Sequence, residues 1–122
     1  MRLLLISNST NAGEAYLEYP KRQIADFLAA DGVKRVLFVP YAAVTFSYDD
    51  YQAKVAARFA EFGVEVDSVH RYDNPAEAVR RAEAIVVGGG NTFHLAKTMQ
   101  DQGLYEPIRE AVLARGVPYV GW

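Results

Sequence analysis

No cysteine occurs among the 122 residues. Disulfides and cysteine nucleophiles are therefore excluded, and the composition fits a reducing compartment. An excess of either charge is also lacking. Thirteen Lys and Arg against 15 Asp and Glu leave a net charge of −2, so nothing favours nucleic acid or an anionic membrane as a partner. The basic residues are scattered, and Arg80-Arg81, the nearest thing to a cluster, falls on the solvated side of a predicted helix. No apolar run approaches the roughly 18 residues of a membrane-spanning helix. Met1 to Ile6 is too short for the core of an export signal and runs straight into Ser7-Asn8-Ser9-Thr10. A cytoplasmic location is expected. His70 and His94 have no partners at metal-ligand spacing, so no metal is expected.

What is present is 51% hydrophobic and 23% charged residues, the make-up of a packed domain and not of a disordered segment. Four short apolar runs stand out: Leu3 to Ile6, Val36 to Val39, Ala84 to Val87 and Val117 to Val120. They do not alternate with polar residues, which predicts strands of a parallel sheet covered on both faces. Val64 to Val69 alternates and reads as a strand with one face more open, at an edge. Between these runs, helical spacing predicts helices over 16–28, 48–62, 75–82, 92–99 and 106–114. Pro75 after Asn74 gives the third of these a capped start. Gly32, Gly63 and Gly116 each follow a helix, where a left-handed residue ends it. Strands alternating with helices imply one three-layer α/β domain with a mostly parallel sheet.

In such sheets ligands bind beyond the carboxyl ends of the strands. The most informative loop there is Gly88-Gly89-Gly90-Asn91-Thr92. Three glycines between a buried strand and a helix leave backbone amides uncovered, and Asn91 or Thr92 can cap the helix. Such amides stabilise a phosphate, a carboxylate or a developing oxyanion; equally, the turn is simply a tight one. It is neither a dinucleotide fingerprint nor a P-loop. Ser7 to Gly13 either hydrogen-bonds a substrate or satisfies its own amides. Tyr41 to Thr45 is apolar and reads as a wall of the crevice. His70 reads as a surface histidine, His94 as a packing or solvent-facing one. Asp49 and Asp50 serve a helix dipole, without a convergent partner. The strand ending in Tyr119-Val120-Gly121-Trp122 reads as the first half of a nucleophile elbow, a strand entering a strained turn. With no helix after it, this strand is expected to leave apolar surface bare.

Taken in order, Leu3 to Thr10, Val39 to Thr45, Gly63-Val64 with Val69-His70-Arg71, Ile85 to Phe93 and Tyr119 to Trp122 make the whole chain resemble the peptidase E family. These are serine-type aspartyl dipeptidases, in a group that also includes cyanophycinase. The resemblance implies a flavodoxin-like, class I glutamine amidotransferase-like fold, incomplete here. Residues 1–122 would be the N-terminal half of one hydrolase domain. It implies hydrolysis of dipeptides with an N-terminal aspartate, without metal or organic cofactor. In the family a Gly-Trp pair leads into Ser-Ala-Gly, so the nucleophile would follow Trp122, with its histidine and acidic partners later still; neither His70 nor His94 inherits a triad role. Carried over is an oxyanion-hole amide at Gly90, acting together with the amide after the nucleophile. Gly89 is the candidate for a further amide of the turn, and Asn8, Ser9, Asn91 and Thr92 are the candidate substrate-binding residues. Most residues that select the aspartate are expected in the following segment. That segment would be a partner, either as a second chain beginning with the serine after an N→O acyl shift, or as the rest of one divided polypeptide. The other readings are a non-catalytic binder of small anions and a cyanophycinase-like hydrolase.

Overall fold

The computed structural model describes residues 1–122. Five parallel strands form one sheet in the order β1-β5-β4-β2-β3. They are β1 (Leu3–Leu5), β2 (Arg35–Val39), β3 (Glu65–Ser68), β4 (Ile85–Val87) and β5 (Tyr119–Gly121). Read from the other edge, β3-β2-β4-β5 repeats the first four places of the flavodoxin order 2-1-3-4-5. The N-terminal strand β1 takes the fifth place.

Alternate residues of the central strands feed two separate cores. Val36 and Phe38 of β2, Val86 of β4 and Val120 of β5 point into one. It is closed by Ile24 and Leu28 of α1 (Lys21–Ala30) and by Tyr51, Val55 and Phe59 of α2 (Tyr48–Ala60). Leu37, Val39, Ile85 and Val87 point into the other. That side is closed by Val79 of α3 (Pro75–Arg81), Met99 of α4 (Thr92–Asp101) and Ile108, Ala111 and Val112 of α5 (Tyr105–Leu113). The unbroken apolar runs are thus explained, because both sides of β2 and β4 are dry. Burying a side chain such as Phe38 or Ile85, each 0% exposed, contributes about 1.5–3 kcal/mol.

The helix ends follow local chemistry. Ser47 caps α2 by accepting from the Asp50 amide, and Asp49 and Asp50 lie in its positive first turn. Asn74 caps α3 by accepting from the Glu77 amide, with Pro75 in the first turn. Gly32, Gly63 and Gly116 have φ of 67°, 76° and 68°, the left-handed geometry expected of them.

Three expectations need correction. The first helix begins at Lys21, five residues after Tyr16. Leu17 is held at φ 57° with its side chain fully buried, and its amide donates to the Ser9 carbonyl at 2.8 Å. Tertiary contacts with the β1 loop therefore override the helical spacing there. Coverage on both faces fails at β1, an edge strand whose Leu3 and Leu5 are exposed while Leu4 packs inward. The final strand is not bare as a whole: β5 lies between β1 and β4, and Val120 is fully buried. The uncovered apolar face belongs to β1, bordered by Met1, Leu113 and Tyr119. β3 lies at the opposite edge, as its alternation predicts.

Candidate functional site

The loops after β1, β2 and β4 and the end of β5 meet above the carboxyl ends of the strands. They enclose an open cavity of about 510 Å³. The β1 loop supplies Ser7, Asn8, Ser9 and Thr10, and the β4 loop supplies Gly89, Gly90 and Thr92. Phe46, from the loop between β2 and α2, forms a wall.

Each glycine of the β4 turn is required for a different reason. A Cβ on Gly88 would overlap the Tyr51 hydroxyl and the Phe38 ring. On Gly89 it would stand 2.7 Å from the Trp122 carbonyl oxygen. Gly90 has φ 145°, and a Cβ there would stand 2.5 Å from the Ala42 carbonyl oxygen. That carbonyl already accepts from the Asn91 amide at 2.9 Å. The Gly88 amide donates to Val39, whereas the Gly89 and Gly90 amides donate to no acceptor within the chain. They precede α4, whose start is capped by Asn91 Oδ1 accepting from the His94 amide at 2.9 Å. Two unsatisfied N–H groups beside a helix N-terminus favour negative charge.

Under the turn runs a chain of hydroxyls. Trp122 Nε1 donates to the Tyr16 hydroxyl at 3.0 Å, which donates to the Tyr51 hydroxyl at 3.4 Å. Tyr51 donates in turn to the Gly89 carbonyl at 2.9 Å. The Gly89 carbonyl and the Gly90 N–H belong to one planar trans peptide and point in opposite directions. By holding the carbonyl, Tyr51 fixes the direction of the Gly90 N–H. Burial first, and then the neighbouring Tyr51, push the Tyr16 phenol far above the usual tyrosine range. Burial likewise raises Tyr51. Both therefore remain hydrogen-bond donors at neutral pH. Phe38 stacks on Trp122 and meets Tyr51 edge-on, which holds both rings in place.

Of the residues singled out from sequence, Asn8, Ser9, Gly89, Gly90 and Thr92 line this one cavity. Asn91 does not line it, because its carboxamide oxygen caps α4. The backbone of the β1 loop is tied down: the Ser9 carbonyl accepts from Leu17 and the Asn8 carbonyl from the Tyr19 hydroxyl. In the apolar segment 41–45 the Ala42 carbonyl supports the glycine turn, and Phe46 just beyond it faces the cavity. The surface reading of His70 is corrected. Its ring is half-buried between the Ser68 hydroxyl and the Asp49 carboxylate, 2.7 Å away, so Asp49 has a partner after all. The His70 hydrogen bond and then Arg71 hold the Asp49 carboxyl below its usual range. Ser68 is fully buried and His70 lines no part of the cavity, so this cluster anchors α2 to β3. His94 packs, accepting or donating at 2.8 Å with the Tyr48 hydroxyl.

Tyr16, Phe46, Tyr51, Lys54 and Trp122 complete the lining without having been singled out for it. In sequence Tyr51 reads only as part of the apolar stripe of α2, and its partners lie 35 and 38 positions away.

Residues 3–122 match Peptidase family S51. The chain belongs to that family. Among curated S51-like relatives, peptidase E of Nostoc sp. strain PCC 7120 is 47% identical over 99% of this chain and 49% of its own length. Peptidase E of Escherichia coli O6:K15:H31 is 46% identical over 100% of this chain and 52% of its own. The chain thus spans about half the length of the curated relatives it matches. In fold, it resembles the crystal structure of a peptidase from an acI-B1 Actinobacterium, with a TM-score of 0.66 at 22% identity. That likeness covers 98% of this chain and 52% of the other.

Proposed function

We propose that this chain supplies the sheet, the cavity and the oxyanion donors of a serine-type peptidase that hydrolyses dipeptides beginning with aspartate. In this reading residues 1–122 are the first half of one α/β hydrolase domain. The attacking serine is the residue that follows Trp122, either within one continuous polypeptide or as the first residue of a second chain. The observation that carries the reading is the contact between the glycine turn and Trp122. The space beside Gly89 is filled by the Trp122 carbonyl group, whose oxygen and carbon would lie 2.7 Å and 3.0 Å from a Cβ placed on Gly89. A residue bonded to that carbonyl carbon would start beside the unpaired Gly89 and Gly90 amides. The relatives' length of about twice this chain, and their peptidase E names, support the same reading.

The serine hydroxyl would attack the aspartyl carbonyl carbon, giving its proton to a base in the following segment that later passes it to the departing amine, and the carbonyl oxygen would take the negative charge. The Gly90 amide, with Gly89 as second donor, would meet that oxygen; each such donor is worth on the order of 3 kcal/mol in the transition state. The oxyanion then collapses, the second residue leaves as a free amine, and water releases aspartate from the acyl-serine. Asn8, Ser9 and Thr92 hold the substrate, while Asn91 sets the start of α4. The cysteine-free composition supports a cytoplasmic setting.

The test is hydrolysis of Asp-Leu. The chain joined to its downstream half should turn it over, and the 122-residue chain alone should not. Activity of the short chain alone would refute the proposal. Turnover of β-linked aspartyl polymers in preference to Asp-Leu would assign the site to a cyanophycinase-like reaction instead.

A further inference from the structure

We infer that Lys54 is a specificity-determining residue, whose ammonium receives the side-chain carboxylate of the substrate's N-terminal aspartate. This rests on the aspartyl dipeptidase reading above and adds the group that selects for aspartate. Lys54 is the one ionisable acid or base other than tyrosine among the 12 residues of this chain that line the cavity, so this half contributes a single positive charge and no side-chain carboxylate. It stands one helical turn after Tyr51, on the same face of α2. Its Nζ lies 4.2 Å from the centre of the Tyr16 ring, which holds the ammonium at the cavity wall without neutralising it.

The surroundings leave this charge unpaired. Glu61, which lines a neighbouring groove with Lys54, and Glu18 are committed elsewhere, and Asp50, four residues before Lys54 on α2, makes no salt bridge with it. Glu18 pairs with Lys21 and Arg58, and Glu61 pairs with the same two cations. Lys54 makes neither a salt bridge nor a hydrogen bond, whereas Lys21, Arg58 and Lys97 each have a carboxylate partner. A free ammonium facing neutral hydroxyls and glycine amides discriminates between an anionic and a neutral side chain of the same shape. A site built around one charged contact rejects the isostere that lacks it.

The experiment measures kcat/KM of the intact protein on Asp-Leu, Asn-Leu and the C-terminal amide of Asp-Leu, for the native lysine and for Lys54→Met, Lys54→Gln and Lys54→Arg. Methionine keeps the apolar stem against Tyr16, and thermal melting of each variant checks that it folds. The expected result is an Asp-Leu over Asn-Leu preference that falls by about 10- to 100-fold in the Met and Gln variants, through loss on Asp-Leu, and is largely restored by Arg. An unchanged preference in folded Met and Gln variants would overturn the inference while leaving the dipeptidase reading intact. So would loss confined to the distinction between Asp-Leu and its amide, which would place Lys54 on the C-terminal carboxylate. If the native protein hydrolyses none of the three, the dipeptidase reading fails, and calorimetric binding of Asp-Leu decides the inference separately. Binding weakened about tenfold or more by Lys54→Met supports it, and unaltered or absent binding refutes it.

Discussion

Replacing Gly90 by alanine tests the glycine turn in two independent ways. The residue sits at φ 145°, where an L side chain is strained, and its Cβ would stand 2.5 Å from the Ala42 carbonyl oxygen. Backbone strain of this kind costs about 1–3 kcal/mol. Relief requires moving the turn away from Ala42, which breaks the 2.9 Å hydrogen bond from the Asn91 amide. A lost hydrogen bond adds about 1 kcal/mol. The sum, about 2–4 kcal/mol, corresponds to a fall in Tm of roughly 10 °C for a domain of this size. The same movement displaces the Gly90 N–H, and under the proposed mechanism the loss of one oxyanion donor should lower kcat by about 10²–10³-fold. Gly63→Ala is the control, because Gly63 has φ 76° but nothing within 4 Å of the added carbon. It should cost only about 1 kcal/mol of conformational strain and leave activity unaltered. The assays are thermal unfolding by circular dichroism and steady-state turnover of Asp-Leu by the intact protein. A Gly90→Ala variant that melts earlier but retains native kcat would refute the role of its amide. One that melts with the native protein would refute the close approach to Ala42.

Two further outcomes follow from the site and the sheet edge. Tyr16 has its folded pKa raised above the ordinary 10.0, so the stability it contributes is complete below pH 10 and is lost as pH rises beyond that value. Tyr16→Phe should therefore flatten the alkaline decline of stability measured by urea unfolding, while costing about 1 kcal/mol at neutral pH through the unpaired Trp122 Nε1. An unchanged alkaline slope would contradict the buried phenol. At the sheet edge, Leu5 is 69% exposed. Leu5→Glu in the 122-residue chain should alter stability by no more than about 0.5 kcal/mol and reduce self-association in sedimentation. A large loss of stability would mean that β1 is covered.

How much of this was legible from sequence depends on where the determining contacts lie. The runs around Phe38 and Val86 declare a doubly covered strand, because each residue faces one of two dry cores. Leu3 to Ile6 looks the same in composition but ends at an edge, since coverage is a property of the sheet order and not of the strand. The cap at Asn74 and the left-handed glycines were readable because their physics spans only a few residues. The start of α1 was not, because the Leu17 amide is claimed by Ser9 across the fold. In the cavity the glycine turn announced itself through residue type alone. The Trp122–Tyr16–Tyr51 hydroxyl chain did not, since its first link joins residues 106 positions apart. The contact between His70 and Asp49, 21 positions apart, is invisible in the sequence for the same reason.

The claim at the centre is that the residue bonded to Trp122 attacks a carbonyl whose oxygen then rests on the Gly90 amide. A crystal structure of the intact protein with an aspartyl boronate, a mimic of the tetrahedral intermediate, measures it directly. The expected result is a bond from boron to the side-chain oxygen of the residue after Trp122, with a boronate oxygen about 3 Å from the Gly90 nitrogen. Boron bonded to any other residue, or a boronate oxygen turned away from Gly89 and Gly90, would contradict it.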